Sequence, residues 1–182
     1  TVSDSDYGEY FGFTDQEVRG LLSYYEMEEL YPVVKEWYDG YQFGKEEIYC
    51  PWDVLNYIRE HIGDRNVPPK LYWINTSGNE IVKKLIRRAD SGMKDEIEQL
   101  IEGKSITKEI HMEMTYKDLD DPREGEADTK KENLWSILYT TGYLTSKTPS
   151  SDGRHYNLEI PNKEIRAIFV MQVREWMSET VI

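Results

Sequence analysis

The chain has 182 residues, 14 tyrosines, 5 tryptophans, a single cysteine and a formal net charge of −13. That length suits one domain, or two small ones, with a real hydrophobic core, and the tyrosine and tryptophan content predicts a core rich in ring packing. The lone thiol, Cys50, excludes an internal disulfide and fits a reducing, cytoplasmic setting; no run approaches the roughly 18 apolar residues of a membrane span; and so acidic a surface repels phosphate backbones, which disfavours nucleic acid as a partner of the surface as a whole.

No signal peptide is visible, and a start at Thr1 rather than Met is expected of a fragment or a processed product. Residues 1–12 show little periodicity and read as an irregular lead-in. Thr14-Asp15-Gln16-Glu17 is a capping box with Phe13 and Val18 at the staple positions, and Val18, Leu21, Leu22 and Tyr25 form the apolar stripe of the helix it opens. A second helix starts near Pro32, turns Val33, Val34 and Trp37 inward, and stops at Asp39-Gly40, where glycine is free to take positive φ. Tyr41-Gln42-Phe43 and Ile48-Tyr49-Cys50 alternate about a polar turn and predict a hairpin. Pro51 opens a third helix, with Val54, Leu55 and Ile58 on its apolar face, that ends before Gly63; 63–70 is a loop. A second capping box, Ser77-Gly78-Asn79-Glu80, opens a helix carrying Ile81, Val82, Leu85 and Ile86, and Met93 to Glu102 forms another that Gly103 stops.

The texture changes at Gly103, which divides the chain into 1–103 and 104–182. Ser105 to Ile110 reads as a short strand, and 117–130 as an exposed charged loop. Leu134, Trp135, Ile137 and Leu138 mark a helix ended by Gly142. Tyr143-Leu144-Thr145 and His155 to Leu158 predict a second hairpin, and Ile165, Ile168, Phe169, Val173 and Trp176 a final amphipathic helix. The fold class expected is therefore mainly α with two short β-hairpins, an α+β chain. Strand, helix, hairpin, helix after residue 103 fits a winged helix and equally a generic helical domain with a hairpin.

No catalytic, cofactor or metal set emerges. Gly103-Lys104-Ser105 looks like the tail of a phosphate loop, but Glu98 stands where that loop needs glycine, and a helix rather than a strand precedes it; a helix C-cap is the simpler reading. Asp120, Asp121, Glu124, Glu126 and Asp128 with Lys130 and Lys131 fall on the charged loop rather than on strands that would hold a hard cation. His61, His111 and His155 lack ligand spacing, and Cys50 has no evident base beside it. Lys147, Arg154 and His155 on the second hairpin are few, with Asp152 among them, for a nucleic-acid wing. Trp37, Tyr38, Tyr41, Phe43, Tyr49 and Trp52 read first as a structural ring cluster, and otherwise as an exposed aromatic face for a partner.

Several segments together resemble the C-terminal part of the AAA-ATPase-like family, whose P-loop ATPase-like domains are often fused to a PD-(D/E)XK nuclease-like domain. Phe11-Gly12-Phe13-Thr14 with Glu17-Val18 resembles its F-G-F-T-x-x-E-V. Trp37-Tyr38-Asp39-Gly40-Tyr41 with Phe43-Gly44 resembles its W-Y-D-G-Y-x-F-G. Tyr49-Cys50-Pro51-Trp52 is similar to its Y-N-P-W, with Cys50 in place of Asn, and Tyr72-Trp73-Ile74-Asn75-Thr76-Ser77-Gly78-Asn79 to its Y-W-x-N-T-S-x-N. Thr141-Gly142-Tyr143-Leu144 and Ile160-Pro161-Asn162-Lys163-Glu164-Ile165 resemble its last two motifs. The resemblance implies a helical lid-like subdomain over 1–103 and a winged-helix-like subdomain over 104–182. The phosphate-binding core is expected before Thr1 and the nuclease-like domain after the last helix. Those missing domains would be the partners, and ATP and Mg would belong to the core alone. On that footing the motif residues Trp37, Tyr38, Asp39, Gly40, Tyr41, Pro51, Trp52, Asn75, Ser77 and Asn79 are structural, and the expected function is a non-catalytic regulatory or interaction part of an ATPase. The alternatives are a nucleic-acid-binding winged helix and an interaction module built on exposed aromatics.

Overall fold

The computed structural model describes residues 12–43, 46–73, 79–112, 127–147 and 153–180. It is an α+β structure whose packing divides it into two units: 1–75 with 161–167, and 76–160 with 168–182. This is a different division from the one expected at Gly103, because the two helices before that glycine pack with the elements after it.

In the first unit, β1 (Phe13–Thr14) leads into α1 (Asp15–Tyr24). The capping box forms as its sequence dictates: Glu17 N donates to Thr14 Oγ1 at 3.3 Å, and Thr14 N to Glu17 Oε2 at 2.9 Å. A 3₁₀ turn, Glu28–Leu30, precedes α2 (Tyr31–Tyr38). β2 (Tyr41–Phe43) and β3 (Glu46–Tyr49) make the expected hairpin, with Tyr41 opposite Ile48, and α3 (Pro51–Gly63) follows. The strand β1 was not expected. It adds to the free edge of β3, giving the antiparallel order β1-β3-β2, and Gly12 permits it: a Cβ there would stand 2.6 Å from the Tyr49 carbonyl oxygen.

The core of this unit is Val18, Leu22, Met27, Val34, Tyr38, Tyr49, Val54, Tyr57 and Ile58, with Phe13, Leu21, Val33 and Trp37 packed around it. Burying each such side chain contributes about 1.5–3 kcal/mol. Two expectations are corrected here. Tyr25 caps the end of α1 and is exposed. On α3, Val54 and Ile58 are buried as expected but Leu55 is not: the buried residues are Asp53, Val54, Asn56, Tyr57, Ile58 and His61, while Leu55 is 47% exposed and Trp52 60% exposed. His61 is a core group. Its Nδ1 sits 2.8 Å from the Tyr57 carbonyl, which only accepts, so that nitrogen carries the proton.

In the second unit, α4 (Asn79–Arg88) and α5 (Ser91–Ile101) lead to β4 (Ile106–Glu109), α6 (Ala127–Thr140), β5 (His155–Leu158) and α7 (Lys163–Thr180), whose first five residues belong to the first unit. Asp90 caps α5 by accepting from Met93 N at 2.9 Å. Gly103 ends it: Lys104 N donates to Gln99 O and Gly103 N to Leu100 O, the Schellman pattern, so Gly103-Lys104-Ser105 is a helix terminus. All six residues from Asn133 to Leu138 are buried, which makes α6 the central helix of this unit, against α4 and β4. Residues 127–130, expected in a loop, are its first turn; the rest of that charged stretch, 117–126, lies outside the described residues, as does the start of the capping box at Ser77-Gly78.

Among the described residues the second hairpin is reduced to one bridge, Thr145 opposite Glu159, and β5 pairs instead with β4, Ile106 opposite Leu158. The cause is local. The amides of Tyr143 and Leu144 both donate to Leu138 O, closing the end of α6, and are spent before a ladder can form. No helix among the described residues is long and apolar enough to cross a membrane.

Candidate functional site

Segments of the resembling motifs at 12–18, 37–43, 49–52, 72–73 and 161–165 belong to the first unit, whereas Thr141-Gly142-Tyr143-Leu144 belongs to the second. Asp39 ends α2 and Gly40 turns the chain with φ +100°. Positive φ is half the reason for glycine. The other half is a close approach: a Cβ on Gly40 would lie 2.0 Å from the carbonyl oxygen of Pro161. Asn162 seals the crossing. Its Nδ2 donates to Asp39 O at 2.9 Å, and its Oδ1 accepts from Ile165 N at 3.0 Å, capping α7. Lys163 then reaches Glu36 at 2.6 Å.

Glu164, the second residue of α7, points into the core of the unit. Its Oε1 accepts from Trp73 N at 2.7 Å. The Trp73 ring stacks on Tyr41, centroids 6.1 Å apart. Opposite stands Asp53, third residue of α3, placed there by Pro51 at the first helical position and by Cys50, whose amide donates to Tyr38 O at 3.2 Å. Both carboxyls are 0% exposed. The Cys50 thiol also faces Asp53. That answers the expectation that no base lies beside Cys50: one does, yet burial, together with the Asp53 charge, pushes the thiol up to about 12, and it is no nucleophile.

The charge state of this pair follows from its surroundings. Neither Asp53 oxygen nor Oε2 of Glu164 meets an amide, hydroxyl or cationic donor among the described residues. A carboxylate only accepts, so the bond between the two acids exists only if one keeps its proton. Burial, then the neighbouring Asp53 charge, raises Glu164 to about 8 against the partial relief of the Trp73 amide. Burial raises Asp53 to about 6, with the bonds from Cys50 and Glu164 holding it lower than its partner. The two acids therefore share one proton. Tyr41, packed on the same pair, is pushed well up by burial and by Cys50, Asp53 and Glu164.

A second acid in the same unit behaves in the opposite way. Asp15, first residue of α1, accepts from Tyr31 Oη at 2.5 Å, Tyr49 Oη at 2.7 Å and Arg19 Nε at 2.7 Å, with Lys35 Nζ at 3.6 Å. Partial burial alone would raise it. The hydrogen bonds from Tyr31, Arg19 and Tyr49 and the Lys35 charge overcome that and hold it well below the usual carboxylate range.

Of the motif residues named from the sequence, Tyr38, Asp39, Gly40, Tyr41 and Pro51 gather around this junction, and Trp37 packs beside it. Tyr38 is anchored by its hydroxyl, which donates to Lys70 O at 3.1 Å and accepts from Lys70 N at 3.2 Å. Trp52 does not join the ring cluster and faces solvent. Asn75 and Ser77 lie outside the described residues, and Asn79 opens α4. The residues that sequence reasoning missed are Asp53 and Glu164. The available signal, an acid in the first turn of a helix, reads as ordinary dipole compensation. Among the described residues no group of three or more His, Cys, Asp or Glu is arranged to hold a metal ion. The chain matches no protein-family model, no curated protein and no solved structure.

Proposed function

We propose that this chain is a non-catalytic regulatory or interaction part of an AAA-type ATPase, a lid-like helical region joined to a winged-helix-like region, acting on a nucleotide-binding core supplied elsewhere. The observation that carries the reading is the crossing of Gly40 and Pro161 above the Asp53–Glu164 pair. It brings together Asp39-Gly40-Tyr41, Cys50-Pro51 and Pro161 to Glu164, segments distant in the sequence that each resemble a motif of that family. The acids there are sealed from solvent and serve packing rather than turnover. The winged-helix half of the reading is supported by the order β4, α6, bridge, β5, α7 and by the pairing of β5 with β4 on one edge and of Glu159 with Thr145 on the other.

Titrating the chain with Mg-ATP in a calorimeter and assaying phosphate release tests this. The expected result is neither binding nor turnover by this chain alone; tight binding or hydrolysis overturns it. The same sheet order supports a second reading, a nucleic-acid-binding winged helix. Against it, Lys147 on the proposed wing is paired with Glu159 at 3.4 Å, and the net charge is −13. A gel shift with short duplexes at low salt decides: no retardation ends that alternative.

A further inference from the structure

The chain enters the first unit twice, and the second entry is short: residues 161–167, arriving from β5 and leaving through α7. Three attachments that hold this segment do not depend on pH near neutrality: the close crossing of Pro161 over Gly40, the Asn162 amide on Asp39 O, and the charged contact of Lys163 with Glu36. The fourth is the Trp73 amide, which donates to Glu164 Oε1 at 2.7 Å, and the fifth is the contact between Glu164 and Asp53, two carboxyls with no solvent access. It differs in kind, because it is attractive with one proton between the acids and repulsive with none.

We propose that the Asp53–Glu164 pair is a proton-held latch, which fixes the Pro161–Ala167 segment against α3 and the Tyr72–Trp73 loop while the two acids share a proton and frees it when that proton is lost.

The groups facing the pair are Tyr41 from β2, the Cys50 thiol from the end of β3, Tyr38 from α2, and the Tyr72 hydroxyl with the Tyr72 and Trp73 amides from the loop before α4. Among the described residues no cation is named among the groups acting on either acid; the segment's own lysine, Lys163, is turned to Glu36. Loss of the proton therefore leaves two negative charges in a sealed space with only backbone amides and weak donors to answer them.

The sign follows from linkage. Both acids hold protons more tightly in the closed state than in an opened one, where they return to the ordinary carboxylate range. Opening then releases protons and is promoted by raising pH, from that range up to about 8, where the closed state loses its own proton and the dependence levels off. One proton released corresponds to about tenfold weaker closure per pH unit, so about a hundredfold between pH 6 and 8.

Hydrogen–deuterium exchange on peptides covering 161–167, corrected for the intrinsic pH dependence of exchange, reads this directly. Protection of the segment is expected to fall about a hundredfold from pH 6 to 8 and then level off. The Glu164→Gln variant and the Asp53→Asn/Glu164→Gln double variant, with amides that cannot ionise, should hold protection flat over the same range. A wild-type profile that is itself flat overturns the latch whether or not either variant folds. A double variant that follows the wild-type slope overturns it equally.

Discussion

Two acid sites in one folding unit, both in the first turns of helices, end with opposite charge. Asp15 sits at the rim, 42% exposed, with two tyrosine hydroxyls, a guanidinium and an ammonium turned towards it, and these hold it ionised well below the usual carboxylate range. Asp53 and Glu164 sit at the bottom of the same unit with a thiol, two amides and each other, and keep a proton near neutrality. The helix dipole favours a negative charge at all three positions. The comparison shows that it decides nothing here: water and the number of strong donors do.

The contrast is broken most severely by disturbing the sealed side. Gly40→Ala forces a Cβ into the Pro161 carbonyl at a backbone angle that resists side chains, and should cost at least about 3 kcal/mol in urea unfolding; retention of wild-type stability would mean the crossing is not as tight as described. Glu164→Ala leaves the Trp73 amide and Asp53 without their partner, and should lose about 2–3 kcal/mol at pH 6 by the same measurement. The rim is more forgiving. Asp15→Asn should cost about 1 kcal/mol at pH 7, discounted for exposure. Because the folded-state value of Asp15 lies below its unfolded one, its contribution is present above the ordinary carboxylate range and fades as pH falls through it. Wild type and Asp15→Asn should therefore converge in stability as the pH is lowered towards 2. The acid pair has the opposite slope, losing stability as pH rises from the ordinary carboxylate range up to about 8. The smallest effect is a gain. Glu26 closes α1 at φ 55°, with Met27 N on Leu22 O, a position that favours glycine; Glu26→Gly should raise stability by about 0.5 kcal/mol, seen as a small increase in Tm.

What was legible in the sequence was local. Thr14 and Glu17 announce a capping box because both partners lie within one turn, and Gly40 and Gly103 announce helix ends for the same reason. The hairpin from Tyr41 to Tyr49 follows from alternation about a short turn. The face of α3 was misread because Leu55 is apolar and Tyr57 amphipathic, yet the tyrosine is buried among Tyr38 and His61 while the leucine faces out. Strand β1, two residues long, has no pattern to show, and exists because β3 offers an open edge. The acid pair was illegible for a stronger reason. Asp53 and Glu164 come from opposite ends of the chain, and neither is unusual until the crossing at Gly40 and Pro161 sets them against each other.

The retained proton has a direct signature in the infrared. Difference spectra in heavy water should show a protonated-carboxyl C=O band at neutral pH that vanishes as the pH is raised past about 8 and is missing from the Asp53→Asn/Glu164→Gln double variant. A spectrum with no such band at pH 6 to 7, every carboxyl already ionised, would contradict the account.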